Sequence, residues 1–308
     1  MELVKNFNLV SKSKLQELER LSQVQGTDQN GDSYLKTILK RFLKDKVATI
    51  SLVFFLLIVF IAILAPVLAP YNPAKSVGYF EADPSSKFLL GTDDVGRDVL
   101  SRLIYGSQAS LIVGILSVII YALIGTTLGL LSGYLGGFWD SLIMRITDVF
   151  MSFPYFIVIL VAVSLVGPGL WTVTLAIGFL NWPVLCRLVR GEVMKLRKAD
   201  YVEAAVASGY NTFQIVFKHI FPNTLAIILV NMTFGIATSI LTEAALSFLG
   251  AGVQPPTPSW GNMMSDAQSI NVLANEYWRW LPPGIMILIA VLSINFIGDG
   301  LRRAVEGK

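Results

Sequence analysis

The sequence is poor in the groups that do covalent chemistry. Its 308 residues include one cysteine and one histidine. Cys186 has no partner within the chain, so a disulfide framework is excluded and redox compartment is left open. With His219 alone, a His-Glu-x-x-His zinc site is excluded, and a histidine triad would have to use a residue that the pattern below places elsewhere. No Gly-x-x-x-x-Gly-Lys-Ser/Thr stretch occurs, so the phosphate cradle of a P-loop ATPase is missing. No catalytic residue, bound cofactor, metal site or nucleic-acid partner is expected. Charge is scarce as well, at 15% against 54% hydrophobic residues, which places the chain among multi-span membrane proteins. The first 46 residues are charged throughout and hold no apolar run with a small-residue cleavage site, so no cleaved signal peptide is expected.

What the chain has in quantity is long apolar runs. A hydrocarbon core of ~30 Å needs about 20 apolar residues per helix. Spans are predicted near Val47–Ala69, Ser110–Gly133, Val149–Val166, Leu170–Cys186, Thr224–Leu246 and Pro282–Ile297. The expected fold is an all-α membrane protein with six transmembrane helices. Pro154 and Pro183 should kink the third and fourth, because each removes a backbone donor. With the N-terminus inside, only Lys75, Lys87, Arg97, Arg102 and Arg279 of the 24 lysines and arginines fall on outer segments. The positive-inside rule then puts both termini in the cytoplasm. The chain divides into an inner tail (1–46), a first span with its outer segment (47–107), a core of five spans (108–298) and a second inner tail (299–308). Lys40, Arg41, Lys44 and Lys46 abut the first span, where anionic lipid would attract them. Tyr277, Trp278 and Trp280 are expected as an aromatic belt at the outer interface. Gly125, Gly129 and Gly133 recur every four residues, a face on which another backbone can pack closely, from this chain or a second subunit.

A polar island, residues 189–222, separates the fourth and fifth predicted spans. Tyr201, Ala204, Ala205 and Ser208 fall at i, i+3, i+4 and i+7, one small-residue face of a short helix. Gly209 should end that helix with positive φ. Asn211 and Gln214 have the spacing of a capping box for a second short helix, whose stripe would be Phe213, Val216, Phe217 and Ile220. Pro222 suits the first turn of the next span. On these residues alone, the island either lies on lipid as an amphipathic helix or enters a groove on another protein.

The signature Glu203-Ala204-Ala205, Gly209, His219-Ile220-Phe221-Pro222 resembles the EAA loop of ABC importer permeases. The family's usual Ile-x-Leu-Pro ending departs here to His219 and Phe221. Gly91-Thr92-Asp93 with Gly96-Arg97-Asp98, the run Gly252 to Asn262, and Asp299-Gly300-Leu301-Arg302 are similar to the peptide and nickel branch. The resemblance covers about Phe42 to Arg303. It implies a type I importer permease fold in which the island helix docks on a separate ATPase. It also implies a homologous second permease, two ATPase subunits holding ATP and magnesium, and an extracytoplasmic substrate-binding protein. The cargo would be an oligopeptide or dipeptide, with nickel or a metal chelate as the alternative, in a bacterial or archaeal cytoplasmic membrane.

Other polar groups carry less. Asp93, Asp94 and Asp98 sit beside Arg97 and Arg102, which favours ion pairs over a cation site. Val99, Leu100, Leu103 and Ile104 are expected to face the membrane from a capped outer helix. Gln254, Pro255, Pro256, Pro258 and Trp260 form a stiff outer loop, a candidate gate or binding-protein contact. Glu243 is the carboxylate inside a span, but twenty residues of helix from Asn223 span ~30 Å, which would bring it near the outer interface and water. Asn181, Asn231 and Asn295 are expected to hydrogen-bond between helices. Two rivals remain: an ion-coupled secondary transporter, which would depend on Glu243, and an intramembrane enzyme, for which no buried catalytic pair is evident. Docking at the island instead makes Ala205→Glu the damaging substitution.

Overall fold

The computed structural model describes residues 34–307, so most of the predicted N-terminal tail lies outside the described residues. The described residues form α1 (Tyr34–Lys44), α2 (Lys46–Ile63), α3 (Ala65–Leu68), α4 (Val99–Leu135), α5 (Gly137–Met151), α6 (Tyr155–Val166), α7 (Leu170–Leu180) and α8 (Trp182–Leu196). Then come α9 (Asp200–Ala207), α10 (Thr212–Gln214), a π-helical turn (Ile215–Ile220), α11 (Phe221–Phe248), α12 (Trp260–Met264), α13 (Ile270–Asn275) and α14 (Tyr277–Glu306). Five helical stretches are long and apolar enough to cross a membrane, and α5 with α6 would make a sixth.

The third predicted span differs most from expectation. It is a pair of helices, α5 and α6, meeting at 81°. Pro154 caps α6 with extended ψ of 114° and has no N–H for the preceding turn, so the chain breaks rather than kinks there. The fourth span is also longer than predicted. α7 and α8 are separated only by Asn181, with Pro183 in the first turn of α8, and the helix runs on to Leu196. The first eight residues assigned to the island, 189–196, therefore belong to a span.

The glycine face explains that extension. An added Cβ at Gly125 would lie 2.8 Å from the Trp182 carbonyl oxygen, at Gly129 2.7 Å from Val189 Cβ, and at Gly133 2.7 Å from Val193 Cβ. The neighbour left open by the sequence is this chain's own α8. Each glycine lets one more turn of α8 bury its side chains, Leu185 and Cys186 beside Gly125, Val189 beside Gly129 and Val193 beside Gly133, all fully buried. α4 is 37 residues long, about 55 Å at 1.5 Å per residue, and α2, α7, α8 and α11 all pack on it.

At one end, which carries Gly209, α1 lays Ile38 and Phe42 against Ala48, Ala226 and Ala304. Asp45 caps α2 through the Val47 and Ala48 amides and accepts from Arg303 Nε at 3.0 Å. The Ala48 amide and then the Arg303 guanidinium hold its carboxyl below the usual carboxylate range. At the opposite end, which carries Trp260, residues 70–98 fold over the start of α4. Asp98 caps α4, accepting from the Ser101 amide at 2.7 Å. Thr92 accepts from the Ala82 amide and donates to the Tyr79 carbonyl. Arg279, 3% exposed, donates to Glu276, Asp266 and Glu81.

The aromatic belt is only partly present. Tyr277 is exposed, but Trp278 is buried with Val99 and Met263, and Trp280 is half-buried. α14 starts at Tyr277 rather than Pro282, and its first turn turns these rings inward. Val99 likewise faces the folded outer segment instead of lipid.

The glycine face yields a paired test. Gly129→Ala should lower the thermal midpoint in detergent, since its Cβ meets Val189 and the Cys186 carbonyl, at a cost of about 1–3 kcal/mol. Gly191→Ala, on the open side of α8 where no atom lies within 4 Å, should hold or raise it. Equal midpoints for the two variants would refute the close-packing account.

Candidate functional site

The segment between α8 and α11 is built from ordinary local rules. α9 begins after Ala199, and Gly209 follows its end with φ of +80°, the left-handed value expected of a residue past a helix C-terminus. Asn211 and Gln214 form a complete capping box, with bonds of 2.8 and 3.0 Å. No second short helix follows. α10 passes directly into the π turn and α11, so the fifth span starts at Thr212 rather than Thr224. Pro222 has no N–H for the Lys218 carbonyl, and the Phe221 amide reaches back five residues to the Val216 carbonyl. The wider turn absorbs the missing donor. It also rearranges the apolar stripe: Ile215, Val216 and Ile220 are buried, whereas Phe213 and Phe217 are exposed and stack with centroids 4.4 Å apart.

The face of α9 differs from expectation in one residue that matters. Tyr201 is 43% exposed, and Glu203, Ala204 and Ser208 are exposed with it. Ala205 is turned inward, 6% exposed, in the same buried cluster as Val202, Val193, Ile215 and Ile220. The i, i+3, i+4, i+7 spacing of small residues put Ala205 on the presented face. The larger apolar side chain of Val202 decides the orientation, and its i+3 neighbour goes in with it. Ala205→Glu would therefore disrupt packing, and Ala204 is the residue that reads surface contact.

Around this helix the chain is tied down by polar pairs. Arg190 holds Asp140 at 2.5 and 2.6 Å, joining α8 to α5. A cavity of about 330 Å³ between Ser132, Asp140, Arg197, Lys198 and Glu203 opens beside α9. His219 packs its ring edge-to-face on Tyr210 at 5.5 Å. A second, apolar groove of about 420 Å³ runs between α4 and α11, lined by residues such as Leu123, Leu131, Phe217, Leu225 and Met232. Nothing in the linear spacing pointed to it, because its walls lie about 100 residues apart.

At the Trp260 end, the outer loop divides in two. Pro255, Pro256 and Thr257 are exposed, Gln254 is half-buried, and Pro258 and Trp260 are buried. Trp260, 0% exposed, donates from Nε1 to the Leu103 carbonyl and packs among Ile58, Leu111, Ile240 and Ile294. It closes the helical bundle and offers no surface to a partner. Glu243 is not within reach of water, as helix length suggested. It is 0% exposed and accepts from Ser110, Ser247 and Ser259, because residues 251–262 fold back over the end of α11. Those serines were missed, since residues 110, 243 and 259 share no sequence spacing. The side chains of Asn181, Asn231 and Asn295 are half-buried at helix junctions and faces. Asn181 caps the α7–α8 junction with its backbone, and the Asn231 carbonyl, not its amide, receives Tyr121 Oη at 3.5 Å. Asp93 pairs with Arg97 at 2.6 Å and Arg102 at 3.3 Å. No metal-holding group of His, Cys, Asp or Glu occurs among the described residues.

Gly209→Ala should leave its neighbours unclashed, since no atom lies within 4 Å of the added Cβ. The strain is purely conformational, about 1–2 kcal/mol at this φ. Faster amide exchange confined to residues 204–211 is the expected result, and unchanged exchange there would contradict it.

Comparison with known proteins adds the following. Residues 125–308 match the profile of the family described as binding-protein-dependent transport system inner membrane component. Residues 33–89 match the N-terminal transmembrane domain of oligopeptide transport permease C. The di/tripeptide transport system permease protein of Pseudomonas aeruginosa is 41% identical over 90% of this chain and 93% of its own length. The glutathione transport system permease protein of Pectobacterium atrosepticum is 41% identical over 87% and 89%. The dipeptide transport system permease protein of Haemophilus influenzae is 40% identical over 87% and 92%.

Proposed function

The chain belongs to the binding-protein-dependent transport inner-membrane family, and from that premise we propose that it is a peptide-carrying permease subunit of an ATP-driven ABC importer. It forms half of the path, and a homologous second permease seated against it forms the rest. The relatives above are named for di- and tripeptides, dipeptides and glutathione, which favours peptide over nickel as cargo. The observation that carries the coupling role is α9, a short helix whose outer face, Tyr201, Glu203, Ala204 and Ser208, is exposed while Val202 and Ala205 join the main buried cluster.

In this reading the Gly209 end is cytoplasmic, with both termini, and the Trp260 end faces outward. α9 sits in a cleft of one of two ATPase subunits, which hold the ATP and magnesium. When the ATPase pair closes, α9 is displaced. Val202 and Ala205 pass the load to α8 and the start of α11, and the packed helices tilt as a body. The exposed Leu39 and Leu43 of α1, beside Lys40, Arg41, Lys44 and Lys46, rest on the anionic inner leaflet. The tip from half-buried Gln254 through the exposed Pro255, Pro256 and Thr257 is the contact for an extracytoplasmic binding protein. The core at 108–298 is the mechanical unit, and the chain itself hydrolyses nothing.

An ion-coupled transporter would need water or substrate to reach Glu243, and that carboxyl is enclosed by three serines and the Gly261 backbone. Ala204→Glu tests the docking directly. Because Ala204 is exposed, the assembled yield in detergent should match wild type, while ATP-driven peptide uptake in proteoliposomes falls at least about tenfold, the loss of one buried contact of ~1.4 kcal/mol or more. Wild-type uptake by this variant would end the coupling proposal.

A further inference from the structure

Three serine hydroxyls converge on Glu243, and each also accepts a backbone N–H. Ser110 donates to Oε2 at 3.3 Å and accepts from the Trp260 amide at 3.1 Å. Ser247 donates to Oε1 at 2.7 Å and accepts from the Val253 amide at 3.0 Å. Ser259 donates to Oε1 at 2.8 Å and accepts from the Asn262 amide at 3.1 Å. A hydroxyl has a single proton to give. With its lone pairs turned to an amide, each serine directs that proton to Glu243.

The three amides reached in this way bracket the exposed tip. Asn262 closes the far side, donating from Nδ2 to the Val253 and Thr257 carbonyls at 3.2 and 2.8 Å. The backbone lies on the node without a gap: a Cβ at Gly261 would sit 2.6 Å from Ala244 Cα, and one at Gly252 1.9 Å from Ser247 Oγ. Pro255, Pro256 and Thr257 project beyond it into the open. Glu243's partners are hydroxyls and no cation is among them. A buried carboxyl is a costly way to hold a helix end, and a well-packed apolar side chain does that at no loss. An apolar side chain has no means of orienting three hydroxyls and, through them, three loop amides.

We propose that Glu243 is a positioning residue for docking of the extracytoplasmic binding protein. Through Ser110, Ser247 and Ser259 it holds the Gln254–Thr257 tip in one preorganised shape, so that docking does not have to order the loop. This rests on the importer reading above.

Glu243→Gln replaces one acceptor oxygen with a donor and leaves a serine proton undirected. In the assembled importer in nanodiscs, the binding-protein concentration giving half-maximal ATPase stimulation should rise at least about fivefold, while the maximal stimulated rate stays within about twofold. Glu243→Asp should recover part of the shift, and Ser259→Ala should move it the same way by less. A merely structural role would instead lower the maximal rate and the assembled yield together. Nitroxides at Thr257→Cys and the exposed Ile270→Cys give a readout free of any partner. Their distance distribution should broaden in the Gln variant. If Gln at 243 fails to assemble, Ser259→Ala and Ser110→Ala carry both measurements. A stimulated wild type with an unshifted, unbroadened Glu243→Gln overturns the positioning role alone. A wild-type complex that no binding protein stimulates overturns the importer reading and the docking role with it.

Discussion

The close approach of α4 to α8 is the contact on which the rest of the molecule depends. Between helices in lipid there is little hydrophobic driving force, because the surroundings are as apolar as the side chains. Association rests on van der Waals contact and on hydrogen bonds. Gly125, Gly129 and Gly133 bring the α8 backbone within reach of α4 over three turns. Any Cβ there would push α8 outward and take Val189 and Val193 out of the buried cluster. That same cluster continues through Val202 and Ala205 of α9 into Ile215 and Ile220. A short surface helix is thus packed against the longest helix through one unbroken body of side chains. Close-packed interiors transmit displacement rather than absorb it, which is the property that a coupling element needs.

The two ends meet the problem of polar burial in different ways. At the Gly209 end, charges sit near water: Asp45 with Arg303, and Arg190 with Asp140, are partly exposed, and such pairs contribute little to stability. At the Trp260 end, polar groups are enclosed, and most are paired, although Asp98 Oδ1, Arg102 Nη1 and the indole nitrogens of Trp278 and Trp280 have no hydrogen-bond partner. Arg279 meets Glu276 and Asp266, and stripping one partner from such a buried pair costs about 3–5 kcal/mol. Glu243 has only hydroxyls. The first end therefore leaves its charges to water, and the second encloses them.

Legibility in the sequence followed the range of the interaction. The capping box at Asn211 and Gln214, the positive φ of Gly209 and the pairing of Asp93 with Arg97 depend on residues within one helical turn, and all stand where the pattern placed them. The Gly125 to Gly133 face was legible as a face, but not as to whose backbone it met. Errors appeared where distant residues decide. Ala205 faces inward because Val202 has a core to enter, and α8 extends to Leu196 because Gly133 awaits Val193. Pro154 was read as a kink, yet the helix breaks there by 81°.

By itself, the sequence determined that the chain is a multi-span helical membrane protein, where its helices cap, and which polar island separates two spans. Those are consequences of composition and of neighbours within one helical turn. Only the tertiary structure decided which faces are free. Burial of Ala205, Trp260 and Glu243, and exposure of Ala204 and the Pro255–Thr257 tip, follow from segments up to about 150 residues apart meeting in space. The physical reason is that periodicity specifies which residues share a side, whereas accessibility depends on what has been packed against that side.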